Sequence, residues 1–205
     1  EHPITESVTN IDLVREQILV AYGEKLSFTQ SDIKSQGHAI ECRIYAENGF
    51  NSFSPSTGVI SDIIIPQGLG VRFDEGVRIN QEITPFYDPL LGKLITWGAN
   101  RKIAIQRMIR SLKEFHISGI ETSIPFCLLM IENKQFKSGN YSTHTLDEVL
   151  DDLIKELKNH KLEKQLPSAI TAALISLNSE EKIKEQPSKQ SSSRWRDNGI
   201  REGLS

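Results

Sequence analysis

His38-Ala39-Ile40-Glu41-Cys42-Arg43-Ile44-Tyr45-Ala46 alternates between two chemistries with a period of two. Ala39, Glu41, Arg43 and Tyr45 form one set, and Ile40, Cys42, Ile44 and Ala46 the other. Successive side chains of an extended strand point to opposite faces. The stretch therefore predicts a strand with one apolar face for a core and one face carrying Glu41 and Arg43. Downstream, Val59 to Ile65, Gly70 to Phe73 and Leu90 to Trp97 are further β-rich runs, punctuated by Pro55, Gly58, Pro66, Gly68, Gly76 and Pro85. Connections this short predict antiparallel pairing.

Helical periodicities flank these runs. Thr9-Asn10-Ile11-Asp12 offers an N-cap, and Val14, Ile18, Ala21 and Tyr22 recur at helical spacing until Gly23 supplies a stop. Asn100 caps a second helix, with Ala104, Ile105, Met108, Ile109, Leu112 and Phe115 on one side. Arg101, Lys102, Arg107, Arg110 and Lys113 fall on the other side and are expected to be a solvated face. Ser123 to Glu132 and Thr145 to Leu157 read as two more helices, the last opened by a Thr145-Leu146-Asp147-Glu148 capping box. Strands first and helices after predict an α+β fold, an antiparallel β-sheet with flanking helices.

Composition narrows the function classes. The 205 residues carry 24 Lys plus Arg against 27 Asp plus Glu, so nothing resembles the basic footprint of a nucleic-acid binder. No apolar run approaches the ~18 residues of a membrane span. The start Glu1-His2-Pro3 lacks the basic and apolar regions of a signal peptide, so the expected location is cytoplasmic, or the mitochondrial matrix in a eukaryote. Cys42 and Cys127 have no second Cys at ligand spacing and are expected to be reduced, small core hydrophobes. Residues 1–157 hold 15 basic and 21 acidic side chains, whereas 158–205 hold 9 and 6. The polar run Lys182 to Ser193 cannot bury enough surface to offset its ordering entropy. The expected division is a domain over 1–157 and a polar linker or tail over 158–205, partly disordered, with a helix at 167–177. The chain opens without Met and reads as part of something longer.

No nucleophile elbow, phosphate-binding glycine loop, metal-ligand array or repeat is present. Some residues are nevertheless over-specified. Glu1-His2-Pro3-Ile4-Thr5-Glu6 packs two carboxylates, an imidazole and a rigid Pro ahead of a helix, suited to base chemistry or to capping. A guanidinium at Arg43, mid-strand among apolar neighbours, is costly unless it pairs with Glu41 or Glu47 or faces a cleft. Asp88 and Lys93 stand at the ends of a turn, as an internal salt bridge would. His144, after Gly139-Asn140-Tyr141-Ser142-Thr143, lines a pocket or finishes a loop.

Glu1 to Glu6, Gly37 to Glu47, Phe53 to Gly58, Tyr87 to Leu94 and Gly119 to Ser123 are collinear and, through residue 157, hold the order and spacing of one family. The chain resembles the biotin carboxylases, specifically their C-terminal domain, with residues 1–10 as the end of the ATP-grasp active-site segment. Trp195-Arg196-Asp197-Asn198-Gly199 resembles, over a short span, the segment after the carboxylase part of acyl-CoA carboxylase α subunits.

The resemblance implies a ligase that carboxylates carrier-bound biotin with bicarbonate and ATP, in an acyl-CoA carboxylase of fatty acid metabolism. It makes Glu1 the catalytic, bicarbonate-binding general base. Arg43 becomes the catalytic, biotin-binding donor that stabilises negative charge on the ureido oxygen, a role suited to a group with fixed donors that keeps its proton. It places His144 near the nucleotide, beside a Thr143 that replaces a frequently apolar residue, and Leu69 and Arg72 at a homodimer contact. ATP, Mg2+ and biotin are the implied cofactors, and a biotin carrier and a carboxyltransferase the implied partners. The magnesium ligands, the bicarbonate-holding Arg and Gln and the phosphate-binding lysines lie upstream in that family, so the chain alone is expected neither to bind these cofactors tightly nor to turn over. The loop Asn48 to Ser52 lacks the family's Asp-Pro, and no Met-Lys-Met biotin acceptor occurs. The rival expectation is a non-catalytic dimerisation or interaction module. A different ATP-grasp ligase is disfavoured by the Arg43 motif.

Overall fold

The computed structural model describes residues 1–49 and 51–184. Helix α1, His2–Thr9, has Pro in its first turn, where a missing N–H costs no hydrogen bond, and ends at Asn10 in the left-handed region with φ 58°. The segment expected to lie ahead of a helix is thus itself a helix. Its β-branched Ile4, Thr5, Val8 and Thr9 lower local propensity and hide it from the sequence pattern. Helix α2, Leu13–Ala21, starts where the cap residue Asp12 accepts a bond from the Arg15 amide and stops before Gly23 at φ 88°. A 3₁₀ turn follows at Gln30–Asp32.

Strand β1 is His38–Tyr45, and the later strands are β2 Glu47–Asn48, β3 Ser54–Pro55, β4 Gly58–Val59, β5 Asp62–Ile64, β6 Val71–Glu75, β7 Glu82–Ile83, β8 Leu90–Gly98 and β9 His116–Ser118. β8 lies between β1 and β6, antiparallel to both, with Arg43 opposite Lys93 and Phe73 opposite Leu94. The rest pair as two-stranded antiparallel ladders, β2 with β3, β4 with β7 and β5 with β9. The expected sheet is therefore one three-stranded sheet plus three small ladders. Strands of two or three residues are too short to show a period.

Helix α3, Arg101–Glu114, packs on β8 and is capped by Asn100, whose Oδ1 accepts from the Ile103 amide at 3.0 Å. Ile44, Ile60, Leu94, Ala104 and Met108 are wholly buried between these layers. Thr96 is buried with them because its hydroxyl donates to the Ala104 carbonyl at 3.0 Å. The basic side of α3 is not simply solvated. Arg101 donates to the Phe136 carbonyl and lies over the Phe136 and Tyr141 rings at 4.8 and 5.5 Å. Arg107 donates to the Trp97 carbonyl, and Arg110 to that of Gln67 at 3.2 Å. Long stems let these guanidiniums curl back to carbonyls that a helical wheel cannot show.

Helices α4, Ile124–Glu132, and α5, Lys134–Ser138, precede α6, Thr145–Lys184. Thr145 is the first residue inside α6 rather than its cap, and its hydroxyl accepts from the Ser142 amide at 2.9 Å. The expected capping box is thus replaced by a bond across the preceding turn. Leu153 and Leu157 are buried against Leu129. The helix does not end at residue 157, because Leu, Lys and Glu are good helix formers even where they cannot build a core. Glu1–Asn159 forms one compact unit and a second begins at His160, where residues 160–184 are helical. Most of the polar run and Trp195 to Gly199 lie outside the described residues.

Candidate functional site

The site is built on the outward face of β1. Arg43 Nε lies 3.6 Å from Glu41 Oε1, with Arg43 49% exposed and Glu41 10%. Tyr45 on the same face bonds the guanidinium, and together with Glu41 it holds the Arg43 pKa above its ordinary value. The pairing of Arg43 with Glu41 is present, and the guanidinium is at the same time half exposed. Glu41 Oε2 is buried without a hydrogen-bond partner among the described residues. The backbone nitrogen of Glu1 lies 4.0 Å from that oxygen, so the start of α1 rests against this face. The Glu1 side chain is fully exposed.

Rigidity comes from behind. Ile40, Cys42 and Ile44, on the inward face, are buried in the core. The Tyr45 amide donates to Ser123 Oγ at 2.9 Å, and the Ser123 amide donates to the Tyr45 carbonyl at 3.0 Å. Ser123 Oγ and Cys127 Sγ approach the Arg43 carbonyl at 3.4 and 3.9 Å. The N-terminus of α4 is thereby stitched to the backbone that projects Arg43. Local sequence carries no sign of these two positioning residues, since the partners are remote in the chain.

Nearby, burial and then the Asp88 carboxylate push the Glu47 pKa up, which disfavours the charged form beside the site. Asp88 Oδ1 accepts from the Leu90 amide at 2.8 Å, so it caps its own turn rather than reaching Lys93.

The other expected residues fall elsewhere. Arg72 pairs with Asp74 at 2.6 Å and Glu6 at 2.9 Å, on the wall of a groove of about 810 Å³ lined also by His2, Asn10, Val14 and Arg15. Leu69 is 82% exposed. His144 is exposed in the loop before α6, its Nδ1 4.0 Å from Asp147 Oδ2. Among the described residues no group of three or more His, Cys, Asp or Glu could hold a metal ion, and no helix is long and apolar enough to cross a membrane.

A family model, the biotin carboxylase C-terminal domain, matches residues 41–148, over half of the chain. A pyruvate carboxylase subunit of Methanothermobacter thermautotrophicus is 51% identical over 158 residues, 77% of this chain and 32% of the relative. Biotin carboxylase 1 of Bacillus subtilis is 50% identical over 147 residues, 72% of this chain and 33% of the relative. The chain thus spans about a third of the length of the curated relatives it matches. A crystal structure of the biotin carboxylase domain dimer of Hydrogenobacter thermophilus 2-oxoglutarate carboxylase, in complex with MgADP, ADP and bicarbonate, superposes with a TM-score of 0.72 at 40% identity. That match covers 75% of this chain and 34% of the other. With the motif face of β1 inside the matched span, the chain belongs to the biotin carboxylase C-terminal domain family.

Proposed function

We propose that the chain forms one wall of a biotin-carboxylating site, with Arg43 as the donor that holds a developing anion and Glu1 as the general base for bicarbonate. The supporting observation is the Arg43 guanidinium itself: half exposed, paired on one side, and carried on a strand whose other face is locked in the core. A donor so fixed costs little reorganisation when charge develops on a bound oxygen. These residues fit biotin, whose ureido ring supplies the nitrogen that accepts the carboxyl group. Arg43 would hold the ureido oxygen, and Glu41 and Tyr45 would keep the guanidinium aimed and charged. Glu1, exposed at the start of α1, would take the bicarbonate proton.

His144 is the residue offered toward a nucleotide. Magnesium ligation is assigned to residues outside this set, so the chain alone is expected to be inactive. A biotin carrier, a carboxyltransferase and an acyl-CoA acceptor complete the proposal, the last favoured by Trp195 to Gly199.

The test grafts this chain, from Glu1 on, in place of the corresponding third of Bacillus subtilis biotin carboxylase and measures biotin-stimulated, bicarbonate-dependent ATP cleavage. Arg43→Ala and Glu1→Gln are each expected to lower that rate by about 100-fold or more. Wild-type rates in both variants would overturn the roles. Self-association is a second reading, favoured by the exposure of Leu69 near Arg72. Sedimentation should show a dimer that Leu69→Glu weakens.

A further inference from the structure

Lys93 stands beside Arg43 without a counter-charge. The β1–β8 register sets it directly opposite Arg43, and the β6–β8 register sets it opposite Asp74. Residues directly opposite in an antiparallel pair share a face, with Cβ atoms about 4.5–5.5 Å apart. Lys93 therefore lies on the Arg43 face, in the central strand of the sheet. The nearby carboxylates are committed elsewhere. Both Asp74 oxygens accept from Arg72, at 2.6 and 2.8 Å, and Asp88 accepts from the Leu90 amide. Glu41 lies against Arg43 Nε. Among the described residues Lys93 makes no ion pair or hydrogen bond.

The same face is covered on one side of this pair. Helix α1 packs across β1 and β8. Ile95, two residues along from Lys93 on that face, is 1% exposed, and Glu41, which pairs opposite Ile95, is 10% exposed. Arg43 and Lys93 come one step further along the ladder, where Arg43 is half exposed and Lys93 half-buried. Like charges directly opposite each other destabilise a strand pair. An anion between them turns that repulsion into attraction at both ends.

We propose that Lys93 and Arg43 together bind a small oxyanion, bicarbonate or phosphate, that bridges β1 and β8. The guanidinium has five N–H donors, of which Glu41 faces the one on Nε, and the Lys93 ammonium adds three more on a flexible stem. Bicarbonate presents three coplanar oxygens and phosphate four, so either can accept from two cations held this close, through charge-assisted hydrogen bonds. Both anions belong to the proposed reaction, bicarbonate as the carboxyl donor and phosphate as a product of ATP cleavage. A part for Lys93 in carboxylation rests on the role proposed above for Arg43; the anion site itself does not.

The experiment titrates the folded 205-residue chain with sodium phosphate and, separately, with sodium bicarbonate, at an ionic strength held constant with sodium chloride, and follows backbone amide NMR shifts. Saturable shifts centred on Arg43 and Lys93 are expected with at least one anion, and the tighter of the two is the ligand. Lys93→Gln is expected to weaken that binding by about tenfold or more, the contribution of roughly one charge-assisted hydrogen bond, and Lys93→Arg to keep most of it. Because Lys93→Gln also removes a like-charge contact, its urea midpoint should match or exceed that of wild type. A lower midpoint with unchanged anion binding, or no saturable shift with either anion, would overturn the site. In the grafted enzyme Lys93→Gln is expected to raise the KM for bicarbonate several-fold or, with phosphate as the ligand, to relieve phosphate inhibition by the same factor. Lys102→Gln, exposed on α3, should change neither. Unchanged values for Lys93→Gln beside a lost rate for Arg43→Ala would remove Lys93 from the site and leave the Arg43 role standing. Lys93-dependent anion binding beside a wild-type rate for Arg43→Ala would remove the Arg43 role and leave the anion site.

Discussion

Helices α2 and α3 carry equally legible apolar periodicities and meet opposite fates. In α3, Ala104 and Met108 are wholly buried and Leu112 is 2% exposed, because β8 lies behind them. In α2, Val14, Ile18 and Val20 are 45%, 54% and 49% exposed. The buried residue of α2 is instead a charged one, Glu16, whose carboxylate accepts from the Ser27 amide at 3.0 Å and the Ser27 hydroxyl at 2.7 Å. A helical period states which residues share a face. It does not state whether another layer exists to cover them.

The strongest test of this contrast lies on the α3 side. Leu94→Ala removes a wholly buried side chain beneath α3 and should cost about 2–5 kcal/mol in urea unfolding. Gly119→Ala comes next. Gly119 holds φ +99°, and an added Cβ would be driven into the Val59 carbonyl, beside the β5–β9 ladder. The expected loss is about 1–3 kcal/mol, read from the same unfolding curves.

Glu16→Gln probes the α2 side through pH. Bonds from Ser27, then Arg15, lower the Glu16 pKa from 4.5, so the folded state holds the charged form more strongly than the unfolded state does. Its stabilisation is therefore present above the unfolded value and lost as pH falls through the lower folded value. The gap between wild type and Glu16→Gln should be widest near neutrality and close below about pH 4. The smallest effect is expected for Val14→Ser and Ile18→Ser, each within about 0.5 kcal/mol of wild type. A loss at Ile18 as large as that at Leu94 would break the comparison, because it would mean that α2 is covered in solution.

The same limit governs what is legible at the site. Glu41 and Arg43 share a face of β1 because a period of two requires it, and the structure places them 3.6 Å apart. The cap at Asn100 is equally local, since side chain and amide are three residues apart. Ser123 and Cys127, in contrast, lie 80 and 84 residues from Arg43 in the chain and meet it only through the tertiary fold. The arginines of α3 read as solvated because periodicity counts Cα positions, whereas a guanidinium ends several bonds away and finds carbonyls in other elements. Thr145 reads as a cap from a motif that the bond with Ser142 displaces.

The alternation of β1, the antiparallel α+β pattern and the collinear motifs that place the chain in its family can all be read from the residues in order, because they are products of short-range sterics and side-chain chemistry. Which apolar faces find cover, which arginines are captured and that Ser123 and Cys127 reach the Arg43 carbonyl emerge only with tertiary packing. Those outcomes depend on closing long loops and on competition for buried space, and neither leaves a periodic mark on the chain.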